Sequence, residues 1–200
     1  MAMIKKELAP GIVLYENILT NSSDIINELE LKVSDKILNW KQTSVKADNK
    51  ISVDPKYRDT NFIFVNYLKS IKESPQTPAD FAKATLSEHF YNAFTECELD
   101  YGYNYRFMQS EHDGYSILKY SEGQQFKDHI DDAAALHRRV STVFYLNDDY
   151  TGGEIEFPRF GLKIKPQKHQ LLIFPSTYVY NHIVHPVLSG TRYAVVSWIK

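Results

Sequence analysis

From Arg139 to Pro158 the chain reads Arg-Val-Ser-Thr-Val-Phe-Tyr-Leu-Asn-Asp-Asp-Tyr-Thr-Gly-Gly-Glu-Ile-Glu-Phe-Pro. β-branched and aromatic residues crowd 139–146, and 154–157 is a second such run. Asn147-Asp148-Asp149 and Thr151-Gly152-Gly153 are turn signals. The same pattern extends outward on both sides. It predicts further strands at 103–109, 115–120, 125–130, 162–164, 170–174, 181–186 and 192–199, separated by Ser121-Glu122-Gly123, Pro158, Gly161, Pro166 and Ser189-Gly190. Many short strands at close spacing imply a sandwich or barrel.

The first half differs. A short apolar run at 12–15 predicts the first strand. Ile25, Ile26, Leu29, Val33, Ile37 and Trp40 recur every three or four residues behind the candidate caps Thr20, Asn21 and Ser22, predicting an amphipathic helix. Residues 41–59 lose this pattern and read as an exposed, mobile loop, and 61–68 as a strand. Thr77 then caps a second helix, with Pro78 in its first turn, Asp80 complementing its dipole, and Ala82, Leu86, Phe90, Ala93 and Cys97 on one face. Helices followed by strands imply helices buttressing one sheet of a jelly roll. The expectation is one domain over 1–200, with 1–100 as support and 101–200 as the core.

Composition limits the functional classes. The 200 residues are 43% hydrophobic and 24% charged, which suits a folded chain. A net charge of −2 does not provide a globally cationic surface for a phosphate backbone. The single cysteine, Cys97, excludes an intramolecular disulfide and points to a reducing compartment. No stretch reaches the roughly 20 apolar residues of a membrane span, and no signal-peptide pattern opens the chain. A cytoplasmic protein without a membrane partner is expected.

His129-Ile130-Asp131 closes a predicted strand. Residues i and i+2 share a strand face, so imidazole and carboxylate can converge. By itself the triplet reads more readily as a strand-end histidine beside a turn aspartate. The block 181–198 adds a distal histidine and, ten residues after it, Arg192 on a predicted buried strand. Two histidines and a carboxylate with open positions form a ligand set for non-haem Fe(II). A buried arginine needs an anion, and its planar fork suits a carboxylate.

These ordered motifs resemble the Fe(II)/2-oxoglutarate dioxygenases of the prolyl 4-hydroxylase-like branch. The resemblance rests on Tyr120-Ser-Glu-Gly-Gln-Gln-Phe-Lys-Asp-His-Ile-Asp131, on Arg139-Val-Ser-Thr-Val-Phe-Tyr-Leu-Asn147, and on Thr151-Gly-Gly-Glu-Ile-Glu-Phe-Pro158. The distal His-Ile-Val-His-Pro-Val-Leu-Ser-Gly-Thr-Arg-Tyr of 182–193 and the closing Trp198 complete it. It covers about 115–198 and implies a mainly β, double-stranded β-helix fold with supporting α-helices packed on one sheet.

The resemblance also implies roles. His129, Asp131 and His182 would bind Fe(II); Arg192, assisted by Tyr145, would pair with 2-oxoglutarate, with Tyr120 nearby; Trp198 and Arg138 or Arg139 would meet the substrate. The implied reaction consumes O2 and hydroxylates an unactivated C–H bond, on a prolyl residue of a peptide or protein. Ascorbate is implied as an accessory reductant. A free amino acid or other small metabolite is the alternative substrate, and a metal-free jelly-roll binding module the alternative class. Nucleic acid is disfavoured, since Trp198 stands where relatives acting on it tend to carry a second arginine. His185 is the competing distal histidine and Asp132 the second-choice carboxylate. His89 is expected to pack on its helix, His112 to lie in a turn, and His137 and His169 to be solvated.

Overall fold

A computed structural model describes residues 3–47, 50–66, 72–107, 112–132 and 136–200. The chain begins with β1 (Ile4–Ala9), β2 (Ile12–Glu16) and α1 (Ser22–Ser34). Next come β3 (Lys41–Gln42), β4 (Val45–Ala47), β5 (Lys50–Ser52), β6 (Asn61–Val65) and the long α2 (Pro78–Asn104). The remaining strands are β7 (His112–Tyr120), β8 (Phe126–His129), β9 (Val140–Tyr145), β10 (Thr151–Gly152), β11 (Ile155–Phe157), β12 (Leu162–Ile164), β13 (Leu171–Pro175), β14 (His182–Val184), β15 (Val187–Ser189) and β16 (Arg192–Ile199).

Eight strands form the major sheet in the order β1-β2-β13-β9-β16-β7-β6-β3, and β12-β11-β14-β8 form the minor one. Together they make a jelly-roll double-stranded β-helix. Strand alternation divides the major sheet's side chains between two cores. Val13, Tyr15, Tyr115, Ile117, Phe144, Leu171, Ile173 and Val195 pack with the helices. Ile12, Leu14, Leu118, Tyr120, Val143, Tyr145, Leu172, Phe174, Ala194 and Val196 face inward with the residues of the minor sheet. One face therefore holds the support and the other builds the chamber.

Helix α2 starts with a reciprocal capping box between Thr77 and Asp80, so Asp80 acts by hydrogen bonding as well as through the dipole. Its buried Leu86, Phe90, Phe94, Cys97 and Tyr101 continue at spacings of three and four. Phe94 packs on Tyr115 and Phe144, with ring centroids 5.4 and 5.5 Å away. Phe94→Ala should therefore cost about 3–5 kcal/mol, read as a fall in the denaturation midpoint by circular dichroism.

Several expectations are corrected. Tyr101 and Tyr103 lie in α2, not on a strand, and Tyr105 is its C-cap; residues 108 and 109 lie outside the described residues. The helical face of α2 outweighs the local tyrosine alternation, and the Tyr101 hydroxyl is fastened to the Gly11 carbonyl at 2.9 Å. Helix α1 ends at Ser34, before Ile37 and Trp40, and a strand missed by the pattern, β1, precedes the run at 12–15. The segment 41–59 contains β3 and the β4–β5 pair, with 48 and 49 outside the described residues. The strand expected over 61–68 is described through Val65, and 67 and 68 lie outside. His112 is on β7, not in a turn, and its Nε2 lies 2.9 Å from the Ser197 hydroxyl. No described helix is long and apolar enough to cross a membrane.

Candidate active site

Strands β8 and β14 pair antiparallel with His129 opposite His182. Their ring centroids are 4.1 Å apart. Asp131, just past the end of β8, lies with its carboxylate 3.7 Å from His129 Nε2 and 3.9 Å from His182 Nε2. One ligand atom from each residue lies within 4.8 Å of the others. The local backbone orients both rings. His129 Nδ1 sits 2.8 Å from the Lys127 carbonyl and His182 Nδ1 sits 3.1 Å from that of Tyr180, leaving each Nε2 turned to the shared point. Such carbonyl partners fix the tautomer that presents a lone pair to a metal.

The surroundings favour ligand states. Burial and the neighbouring His182 push His129 well below the usual imidazole range, keeping it neutral. Burial works to raise the Asp131 carboxyl, but His182, His129 and the Ser141 hydroxyl outweigh it and hold the group ionised. Ser141 Oγ donates to Asp131 Oδ2 at 2.7 Å and contacts Ser176 Oγ at 2.7 Å. Phe126 stacks on the His129 ring at 3.4 Å, and Phe157 and Phe174 wall His182.

Arg192 is 1% exposed and points into the same inter-sheet chamber. Its guanidinium carbon lies 4.9 Å from the Tyr120 ring centre and 5.3 Å from that of Tyr145. Burial works to lower its pKa; the Tyr150, Tyr145 and Tyr120 oxygens outweigh that, and the charge is kept. Burial raises the pKa of the Tyr145 and Tyr150 hydroxyls, so both remain neutral donors. Among the described residues, Arg192 Nε and Nη1 and both hydroxyls are buried without a hydrogen-bond partner. Such groups are costly unless a ligand completes them. Gly153 makes room: a Cβ there would lie 2.9 Å from the Tyr150 ring and 3.1 Å from Arg192 Cδ, at a φ of +65°.

At the chamber mouth the Arg138 guanidinium lies 3.5 Å over Trp198, and its Nε donates to Asp113 at 3.1 Å. Arg139 lies over the Phe107 ring at 4.6 Å.

Residues 115–200 match the model of the 2OG-Fe(II) oxygenase superfamily.

The match begins within β7 and spans β8–β16, the strands that carry most of the residues just described. A PKHD-type hydroxylase of Prochlorococcus marinus (strain MIT 9215) is 38% identical over 93 residues, 44% of this chain and 41% of its own. One of Colwellia psychrerythraea is 34% identical over 87 residues, 39% of this chain and 38% of its own. The chain thus spans about two fifths of the length of the curated relatives it matches. In fold, it is similar to a Trichoplax adhaerens prolyl hydroxylase solved with a hypoxia inducible factor peptide, with TM-score 0.68, 18% identity and coverage of 94% and 83%. A Pseudomonas putida prolyl-4-hydroxylase gives TM-score 0.67, 17% identity and coverage of 95% and 92%. Over residues 115–200 the chain is similar in sequence to the 2OG-Fe(II) oxygenases, and in fold it is similar to these two prolyl hydroxylases.

The structure brings most of the candidate residues together. His129, Asp131 and His182 converge, and Arg192, Tyr145 and Tyr120 cluster beside them. His185 instead places its Nε2 2.6 Å from Glu156, and Asp132 lines a neighbouring cleft. His137 is exposed, while His169 is half-buried. The pattern missed Ser141, Tyr150, Lys165 and Arg58. Ser141 was within reach, because it shares strand parity with Tyr145. Lys165 donates to the Tyr150 and Gly152 carbonyls at 3.1 and 2.6 Å, a contact between distant segments without a local signature.

Proposed function

We propose that this chain is an Fe(II)- and 2-oxoglutarate-dependent dioxygenase that hydroxylates a prolyl residue in a peptide or protein. The carrying observation is the pairing of two unlike sites in one chamber: a His-Asp-His cluster and a buried guanidinium with unfilled donors. The donor set fits the two cofactors. Two neutral imidazoles and a carboxylate suit Fe(II) and leave positions open. Arg192 with the Tyr145 and Tyr150 hydroxyls suits one carboxylate of a small diacid.

When bound, iron with 2-oxoglutarate and O2 supplies the oxidation that places one oxygen atom on a C–H carbon, releasing succinate and CO2. His129 and His182 hold the metal through Nε2, and Ser141 holds Asp131 in place. Arg192 and the tyrosines orient the diacid. Trp198 and Arg138 form the wall nearest the substrate.

A peptide substrate is supported by the open cleft of about 650 Å³ beside Asp132, lined in part by Tyr101, Tyr105, Phe107 and Arg139. It leaves room for residues flanking a proline. The helical layer shares the major sheet with the chamber, which supports one working domain. The lone buried Cys97 supports a cytoplasmic setting. The test is mass spectrometry of proline-containing peptides after aerobic turnover with Fe(II) and 2-oxoglutarate. A gain of one oxygen mapped to proline is expected. Succinate formation with free amino acids and with no peptide would shift the reading to a small-molecule substrate.

A further inference from the structure

Arg58 lies just beyond the β4–β5 pair, in the segment that precedes β6. Its backbone bridges to Phe126, and its guanidinium carbon lies 4.5 Å over the Phe126 ring. Phe126 in turn stacks on the ligand His129. Arg58 thus caps a cation–aromatic–imidazole stack one ring away from the ligand set. The stack is held on both sides: Asp59 N donates to the Gln125 carbonyl at 2.9 Å, Lys127 N to that of Tyr57 at 2.9 Å, and the Tyr57 hydroxyl to that of Asp128 at 2.9 Å.

Arg58 has no ion-pair partner among the described residues, and its Nε is buried without a hydrogen bond. Desolvation works against its charge; of its charged neighbours, Asp131 favours the cation and Arg138 opposes it. Asp131 is committed to the metal cluster, and Arg138 already pairs with Asp113, whose other oxygen accepts from Lys200 at 2.7 Å. Arg58 is half-buried, and a guanidinium whose Nε is buried without a partner is unfavourable, more so beside a divalent metal. On the dioxygenase reading, iron(II), Arg192 and Arg58 stand against Asp131 and a dianionic co-substrate. That set is one negative charge short of neutrality.

We propose that Arg58 is an anion-binding specificity residue, and that the substrate brings a carboxylate to it, close to the carbon that is hydroxylated. This deepens the proposed function and rests on it. Two sources share the chemistry: the α-carboxylate of a free amino acid, or an acidic side chain next to a peptidyl proline.

The test is anaerobic isothermal titration calorimetry on the Fe(II)- and 2-oxoglutarate-loaded protein, which reads binding and not turnover. Matched probes differ only in the carboxylate: L-proline against L-prolinamide, and peptides with Asp or Glu beside proline against their Asn or Gln counterparts. A charge-assisted hydrogen bond predicts at least about tenfold tighter binding of the carboxylate member in one of the two pairs, which also identifies the source. Arg58→Gln should bring that ratio to within about threefold, whereas Arg58→Lys should keep part of it. Titration of 2-oxoglutarate and the melting temperature, followed in parallel, separate a collapsed site from a lost subsite. Equal binding of both members, no binding of either carboxylate probe at millimolar concentration, or an Arg58→Gln protein that still discriminates would overturn the proposal. Failure of the wild-type protein to bind 2-oxoglutarate at all would instead overturn the dioxygenase reading beneath it.

Discussion

Alanine in place of His129, Asp131 or His182 is expected to abolish turnover and to weaken Fe(II) binding by more than about 100-fold. Losing a residue that merely supports a ligand already lowers metal affinity about 10–100-fold, and a direct donor matters more. His129 and His182 come from the paired ends of β8 and β14 and Asp131 from just past β8, so each truncation removes one of the three donors. His185→Ala is the control. Its imidazole is engaged with Glu156 and not with the cluster, so iron affinity should stay nearly normal. Ser141→Ala should fall between, in the 10–100-fold range, because it removes the hydroxyl that donates to Asp131 Oδ2. Anaerobic equilibrium titration with Fe(II) reads all five variants. Iron binding lost in His185→Ala and kept in His182→Ala would reverse the ligand assignment.

Arg192→Gln is expected to raise the 2-oxoglutarate concentration needed for half-saturation by at least one to two decades. A charge-assisted hydrogen bond contributes about 1.5–3 kcal/mol, and two of the nitrogens available to it are buried without protein partners. Tyr145→Phe and Tyr150→Phe each remove one neutral donor and should give milder shifts, of about 0.5–1.5 kcal/mol. Binding of 2-oxoglutarate to the metal-loaded protein, measured without O2, separates these effects from chemistry. Unchanged affinity in Arg192→Gln would remove Arg192 from the co-substrate pocket.

The β-rich second half was legible because strand signals are local: period-two alternation and turn residues decide each short strand with little help from elsewhere. The His-x-Asp spacing also anticipated two donors on one side. Other features had no local signature. Tyr101 and Tyr103 alternate with polar residues as a strand would, yet the helical run from Leu86 to Tyr101 fits the outer face of the major sheet and extends α2 through them. Local propensity yields where packing buries a longer continuous face. Residues 41–59 carried no apolar period, so their short strands and the anchored Arg58 were invisible until β3 paired with β6, β4 with β5, and Arg58 bridged to β8. Arg58 and Phe126 are far apart in sequence, as are Lys165 and Tyr150 and the two histidines of the cluster. The sequence therefore specified most strands of the second half and the donor types they carry. Sheet register brought those donors to one point, because a contact between distant residues depends on the pairing of whole strands and not on the residues that make it.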